Sequence, residues 1–185
     1  MTSIIDFSFL NNEHIPEIER LRNLAFLNFY KSAVEPSGLI WNSIDKASMH
    51  LGFFINKKHL VSYLRLTFFT NNEMLEKATR IKTPEKFKTP VALLARAATD
   101  PSYLSCGLHS GLRSIALQTC LRANINTVFG SLEEKSFRTK QLLAIGYEIV
   151  ARAPRWNDSF IRSSHGYYCC GQSVCSPIWN ADGAL

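Results

Sequence analysis

Between Ile15 and Tyr30 the apolar residues Ile18, Leu21, Leu24, Ala25 and Leu27 recur close to the helical period. Glu17 and Glu19 fall in the first turn, where the helix dipole favours acids, and the segment is predicted to be a helix. Pro36, Ser37 and Gly38 then break any continuous period, so residues 31 to 47 are predicted to be a surface loop long enough to carry site residues. SMHLGFFIN and HLVSYLRLTFF are rich in aromatic and β-branched residues, and the polar pair Lys57 and Lys58 separates them. That is the pattern of an antiparallel hairpin.

Residues 71 to 90 are polar and contain Pro84 and Pro90. VALLARAA then forms a strand-length apolar run closed by Thr99, Asp100 and Pro101, and we expect it to be central in a sheet. Gly107 opens LHSGLRSIALQTCLRAN, whose Leu108, Leu112, Ile115, Ala116 and Leu121 share a helical face, and INTVFGSL completes a strand-helix-strand unit. SFRTKQLLAIG is predicted to be a helix stopped by Gly146, YEIVARA a strand and GYYCC a further edge strand. The tail from 176 to 185 is expected to be loosely held. Helix, hairpin, strand, helix, strand, helix, strand is the order of an α/β (α+β) fold with helices flanking a mixed sheet.

Composition narrows the class. A chain of 185 residues, 46% hydrophobic, buries one sizeable core and is expected to be a single domain spanning 1–185. The start MTSIIDFSFL has no basic n-region, and no apolar stretch is long enough to span a bilayer, so a cytoplasmic protein is expected. Cys106, Cys120, Cys169, Cys170 and Cys175 lack the paired spacing of a disulfide scaffold, which fits a reducing compartment. With His165 they also lack a paired C-x-x-C knuckle, and no metal is expected. The formal charge of +6 has a local focus in Lys77, Arg80, Lys82, Lys86 and Lys88, opposed nearby only by Glu85. Such a surface attracts phosphopantetheine, coenzyme A or an acidic carrier protein, or is simply a solvated basic loop. Nucleic acid is not expected as a partner, because no helix of clustered Arg and Lys and no aromatic stacking stripe accompanies the charge.

The element order, the stretch ARAATDPSYLSCGLHSGLRSIALQTCLRANINTVFGSL and the later LLAIGYEIV together resemble the GNAT superfamily of N-acyltransferases over roughly residues 15 to 153. Upstream, the chain is similar to the branch holding acyl-homoserine-lactone synthases and N-acyl amino acid synthases. Arg22 and Phe26 lie four apart, followed by Trp41, Asn42, Asp45, Arg65, Leu93 and Arg96. Six of those eight positions match the branch, and Asn42 and Leu93 stand where its lactone synthases have carboxylates.

The resemblance implies a GNAT-like, mainly antiparallel central sheet. It also implies transfer of a fatty acyl group from a pantetheine thioester, on acyl carrier protein or acyl-CoA, to the amine of an amino acid or peptide. Asp45, Arg65 and Arg96 would be the catalytic group, and Arg22, Phe26 and Trp41 the acceptor side. The thioester would lie along Ala97, Ala98 and Thr99, with its phosphate on Gly107, Leu108, His109 and Ser110 at a helix start. The family's phosphate turn aligns with Leu104 to His109, of which only Gly107 fits. Acetyl transfer from acetyl-CoA and non-catalytic thioester binding are the alternatives.

On the residues alone, Asp45 with Arg65 and Arg96 is either a substrate clamp or an ion-pair cluster that fixes the N-terminal loop. Candidate bases are Asp45, His50, Glu133 and Glu134. His50 is expected to be packed and hydrogen-bonded, on the strand face shared with Gly52 and Phe54. Tyr103 either protonates the leaving thiolate or simply caps the turn, and Cys106 at a helix start raises a covalent route that ranks below direct transfer.

Overall fold

Ahead of the predicted helix the chain forms a strand, β1 (Ile5–Leu10), which the hydrophobic pattern does not disclose. Its large apolar residues Ile5, Phe7 and Phe9 are the exposed ones and only Leu10 is buried, so the usual reading of alternation fails there. The computed structural model describes residues 4–30, 41–79, 82, 89–125, 127–133, 137–144, 147–153 and 167–173. After β1 come α1 (Ile15–Tyr30), α2 (Ser43–Lys46), the hairpin β2 (Met49–Ile55) and β3 (His59–Phe69), α3 (Asn72–Thr79) and β4 (Val91–Thr99). Then follow α4 (Leu108–Arg122), β5 (Thr127–Glu133), α5 (Phe137–Ala144), β6 (Glu148–Ala153) and β7 (Tyr167–Ser173).

The strand order is β1-β2-β3-β4-β5-β7-β6, with antiparallel pairing of β1 with β2, β2 with β3, β5 with β7 and β6 with β7. This is the mixed α/β, mainly antiparallel architecture of a GNAT-like fold. β4 is the middle strand, as its unbroken apolar run predicts. β7, expected at an edge, instead lies between β5 and β6. Nothing local marks that insertion, because strand order depends on which partner edge is open when the chain returns. Two helices were also missed: α2 is too short to show a period, and α3 lies in the polar stretch read only for its prolines.

The described residues fall into two compact units, one drawn from Met1–Thr67 and Leu94–Ala116, the other from Phe68–Leu93, Leu117–Trp156 and Ser163–Leu185. In the first, α1 packs Ile18, Leu21 and Ala25 against Leu10, Phe54, Leu60, Tyr63 and Ala98 of the strands. The start of α4 covers the opposite face, where Leu108 meets Ile55 and Val61. In the second unit β5, β7 and β6 pair, and Val128, Phe129, Leu142 and Tyr147 are buried.

One irregularity in the first unit governs the site. Phe53 pairs with Ser62 but Phe54 pairs with Leu60, so Val61 is an extra residue in β3. A bulge of this kind shifts side-chain parity, and Leu60 and Tyr63, three apart, both join the cluster under α1. Beyond the bulge Tyr63, Arg65 and Thr67 share that parity. The Val61 carbonyl accepts the Asp100 N–H at 2.9 Å, tying the bulge to the end of β4.

Candidate functional site

Asp45 is fully buried and collects most of the residues picked out in the sequence. Its Oδ1 accepts from Arg22 Nη2 at 2.8 Å and from Arg65 Nη1 at 2.9 Å. Its Oδ2 accepts the Asn42 N–H at 3.0 Å, with Arg22 Nη1 at 3.4 Å. Asn42 returns the contact by capping α2, its Oδ1 accepting the N–H groups of Ile44 and Asp45 at 3.0 Å each. The position where the lactone synthases have a carboxylate thus carries a helix cap, for which Asn is among the best residues.

Tyr63 and His50 extend the network. The Tyr63 hydroxyl lies 2.6 Å from Arg22 Nη2 and 2.7 Å from His50 Nδ1, and His50 Nε2 donates to the Asp45 carbonyl at 2.8 Å. With Nε2 protonated, Nδ1 accepts from the tyrosine. The Trp41 ring packs tilted against His50 with ring centroids 4.6 Å apart, and the Arg22 guanidinium lies 5.5 Å from the Trp41 ring. The Trp41 N–H donates to Glu19 of α1, so α1, the 41–47 segment and the β2–β3 hairpin are stitched together by polar contacts. Tyr63 was not singled out in the sequence, although it stands two residues from Arg65 on the same strand and so on the same face.

Charge follows geometry. Burial is the largest influence on the Asp45 carboxyl and pushes its pKa up, but the hydrogen bonds and charges of Arg22 and then Arg65 together hold it below the ordinary 3.8. Burial lowers the His50 pKa below 6.5, and the Asp45 contacts that oppose this do not restore it. Tyr63 is pushed up to about 12, first by burial. None of the three is placed to exchange protons with substrate at neutral pH: Asp45 has its lone pairs occupied, and both His50 nitrogens are engaged.

Arg96 differs. It is half-buried in β4 and has no hydrogen-bond or ion-pair partner among the described residues. Burial, followed by the charges of Arg65 and Arg22, brings its pKa down to about 10. It remains a cation at neutral pH, held close to two others. Its φ is +56°, a left-handed conformation that costs a non-glycine residue roughly 1–2 kcal/mol and breaks the regular alternation of the strand. Buried Arg22 Nε and Arg65 Nε also lack acceptors, so the group holds more donors than the described residues satisfy.

The expected thioester side lies in the same unit. Ala97 is exposed, Ala98 buried and Thr99 half-buried, and the Thr99 hydroxyl meets Ser62 Oγ at 3.1 Å. Gly107 has φ +74° and its carbonyl accepts the Gly111 N–H at 2.9 Å, so it stands at the N-terminal end of α4, the end toward which a helix directs its first-turn N–H groups. A Cβ at Gly107 would meet nothing within 4 Å, so the glycine is needed there for its φ and not for room. Tyr103 packs against the Ile55, Val61 and Leu108 cluster, and Cys106 is exposed.

Phe26 stands one helical turn after Arg22, with its side chain outside the described residues. Leu93 is buried. Of the basic stretch, Lys77 and Lys82 are exposed, while Arg80, Lys86 and Lys88 lie outside the described residues, as do Glu134, His165 and Cys175. Among the described residues no group of three or more His, Cys, Asp or Glu converges to hold a metal, and no helix is long and apolar enough to cross a membrane.

A pH prediction follows from His50. A histidine whose folded pKa lies below 6.5 is neutral in the fold and protonated sooner in the unfolded chain. Its contribution is therefore complete above about pH 6.5 and is lost as the pH falls from there toward the folded value. Melting curves between pH 7.5 and 5 should show wild type losing stability that His50→Gln does not lose. Parallel pH dependences would show that His50 is not held neutral.

The sequence matches no known family model and no curated protein. Its fold does match solved structures. FeeM, an N-acyl amino acid synthase from uncultured soil microbes, superposes with a TM-score of 0.69 at 11% identity over 94% of this chain and 92% of that one. An acyl-CoA N-acyltransferase from Pseudomonas aeruginosa gives 0.63 at 14% identity over 93% and 100%. The ribosomal-protein-S18-alanine N-acetyltransferase from Escherichia coli gives 0.62 at 10% identity over 98% and 99%. At these identities the likeness establishes a GNAT-like fold.

Proposed function

We propose that the chain is an N-acyltransferase that moves a fatty acyl group from a pantetheine thioester, on acyl carrier protein or coenzyme A, to the amine of an amino acid or peptide. One observation carries the reading: among the described residues Arg22 and Arg65 share the carboxylate of Asp45 while Arg96, within their electrostatic reach, is unpaired, leaving a net two positive charges in a largely buried cluster. Such a cluster wants an anion. A carboxylate on the amine-bearing acceptor supplies it, with Arg96 as the bidentate partner.

In this reading the acceptor nitrogen forms a bond to the thioester carbonyl carbon, the C–S bond breaks, and the proton given up by the amine goes to the leaving thiolate. Residues Ala97, Ala98 and Thr99 line the pantetheine, and the start of α4 from Gly107 to Ser110 receives its phosphate. Asp45 acts as a positioning residue that holds Arg22 and Arg65 at fixed geometry, while Tyr63, His50 and Trp41 brace Arg22. S-adenosylmethionine is disfavoured as acceptor, because Asn42 is committed to capping α2 and Leu93 is apolar, leaving no carboxylate for a sulfonium at either position.

The test is to incubate the protein with fatty acyl and acetyl thioesters and with free amino acids, their amides, peptides and S-adenosylmethionine, then identify products by mass. N-fatty-acyl products of carboxylate-bearing acceptors are expected. Preferred acetyl transfer, a dominant acyl-homoserine lactone, or no turnover with any pair would overturn the proposal.

A further inference from the structure

The β2–β3 hairpin turns through Asn56 and Lys57, with φ of +51° and +56°, and the Lys58 N–H closes it on the Ile55 carbonyl at 3.1 Å. A β-turn with positive φ at both central residues is most relaxed as Asn followed by Gly. Asn56 obeys that preference. Lys57 does not: a long cationic side chain occupies a conformation that glycine would adopt without strain, and strain of this kind persists where the side chain has a use. Lys57, Lys58 and His59 are all exposed, and none has an ion-pair partner among the described residues.

The surroundings point to the use. Ile55 and Val61, which flank the tip, pack with Leu108 and Tyr103, so the tip stands beside the turn that leads into α4. The Asn56 N–H donates to the Ile4 carbonyl at 2.9 Å, and the Ile4 N–H donates to Asn56 Oδ1 at 3.2 Å, bringing the start of β1 to the same end. Ile4, Ile5 and Leu104 are 63%, 51% and 41% exposed. The segments that meet at this end of the sheet thus carry two exposed lysines and three solvent-facing aliphatic side chains.

We propose that this tip is a docking surface for an acidic protein that presents the acyl thioester on a phosphopantetheine arm. Lys57 and Lys58 pair with its carboxylates, and Ile4, Ile5 and Leu104 meet its apolar residues. The inference rests on the acyl-transfer reading and selects between its two donors. Free coenzyme A is a small polyanion, served by helix N–H groups and one or two cations, and it gives no reason for exposed aliphatic side chains around a strained lysine. A protein surface uses both, with charge setting encounter and register and the apolar centre supplying contact area.

The experiment compares decanoyl acyl carrier protein with decanoyl-CoA, using one acceptor, for wild type, Lys57→Gly and Lys57→Gly/Lys58→Ala. The double variant is expected to raise KM for the carrier donor about tenfold or more with kcat retained, and to leave KM for decanoyl-CoA unchanged. Added salt should raise the wild-type KM for the carrier more than that of the variant. Lys57→Gly should melt no lower than wild type, since glycine suits the turn, so a loss of docking is not a loss of fold. Equal rises for both donors would mean that the lysines read phosphate, and no rise for either would also sink the docking surface. So would lysine-dependent binding to phosphatidylglycerol vesicles without lysine-dependent binding to the carrier. Anisotropy titration of labelled holo-carrier protein, without acceptor, separates this proposal from the one beneath it. Lysine-dependent binding with no turnover keeps the surface and removes the acyl transfer, and turnover without lysine dependence does the reverse.

Discussion

Replacing Asp45 by Ala is expected to cost the fold about 3–5 kcal/mol, because it removes the single carboxylate that two buried guanidiniums share. Arg22 and Arg65 are almost completely buried, so neither can turn to water when its partner goes. The Asn42 N–H loses its acceptor as well, and the cap of α2 loosens. Urea unfolding of wild type and variant measures the difference, and a loss below about 1 kcal/mol would show that the network is not held together through Asp45. The same linkage sets an acid limit. The Asp45 carboxyl is held below its ordinary value, so its contribution is complete above about pH 3.8 and disappears as the pH falls through the lower folded value. Activity falls with Asp45→Ala too, but as a consequence of displaced arginines, and part of it should return at lower temperature where the variant remains folded.

Arg96→Gly should do the opposite. It takes a third positive charge away from Arg65 and Arg22 and places glycine where φ is already positive, so melting temperature should hold or rise. Catalysis of a carboxylate-bearing acceptor should fall about 100-fold in kcat/KM, the equivalent of losing a charge-assisted hydrogen-bonded pair of about 2.7 kcal/mol. The amide of the same acceptor should lose little, since it has no charge for Arg96 to hold. Equal losses for acid and amide would remove Arg96 from acceptor recognition, and a large drop in melting temperature would make it structural.

The contrast between these two residues shows what pattern alone conveys. The resemblance in residue type and order points to Arg22, Asp45, Arg65 and Arg96, and the first three do meet in space. Spacing did not say that Asp45 would be saturated on both oxygens while Arg96 would be left unpaired among the described residues. Both carry an ordinary charged side chain on the page of letters. Their difference comes from burial and from which donors surround each one.

Sequence by itself determined the long helix α1, the β2–β3 hairpin, β4 and α4, because each has a hydrophobic pattern sustained over enough residues to outweigh its neighbours, while the GNAT-like class came from a resemblance in element order and motifs. It did not determine β1, whose apolar residues face outward, nor the place of β7 between β5 and β6. Tertiary structure alone decided the contacts within the site. The extra residue at Val61 switches the parity of β3, so Leu60 and Tyr63 reach the same cluster and the Arg65 guanidinium meets Asp45. Tyr63 and His50 become partners because antiparallel pairing sets their strands side by side, thirteen residues apart in sequence. A period reports only which face of its own element a residue occupies. The identity of the group facing it is set by register and bulges, which depend on the pairing of segments distant in the chain.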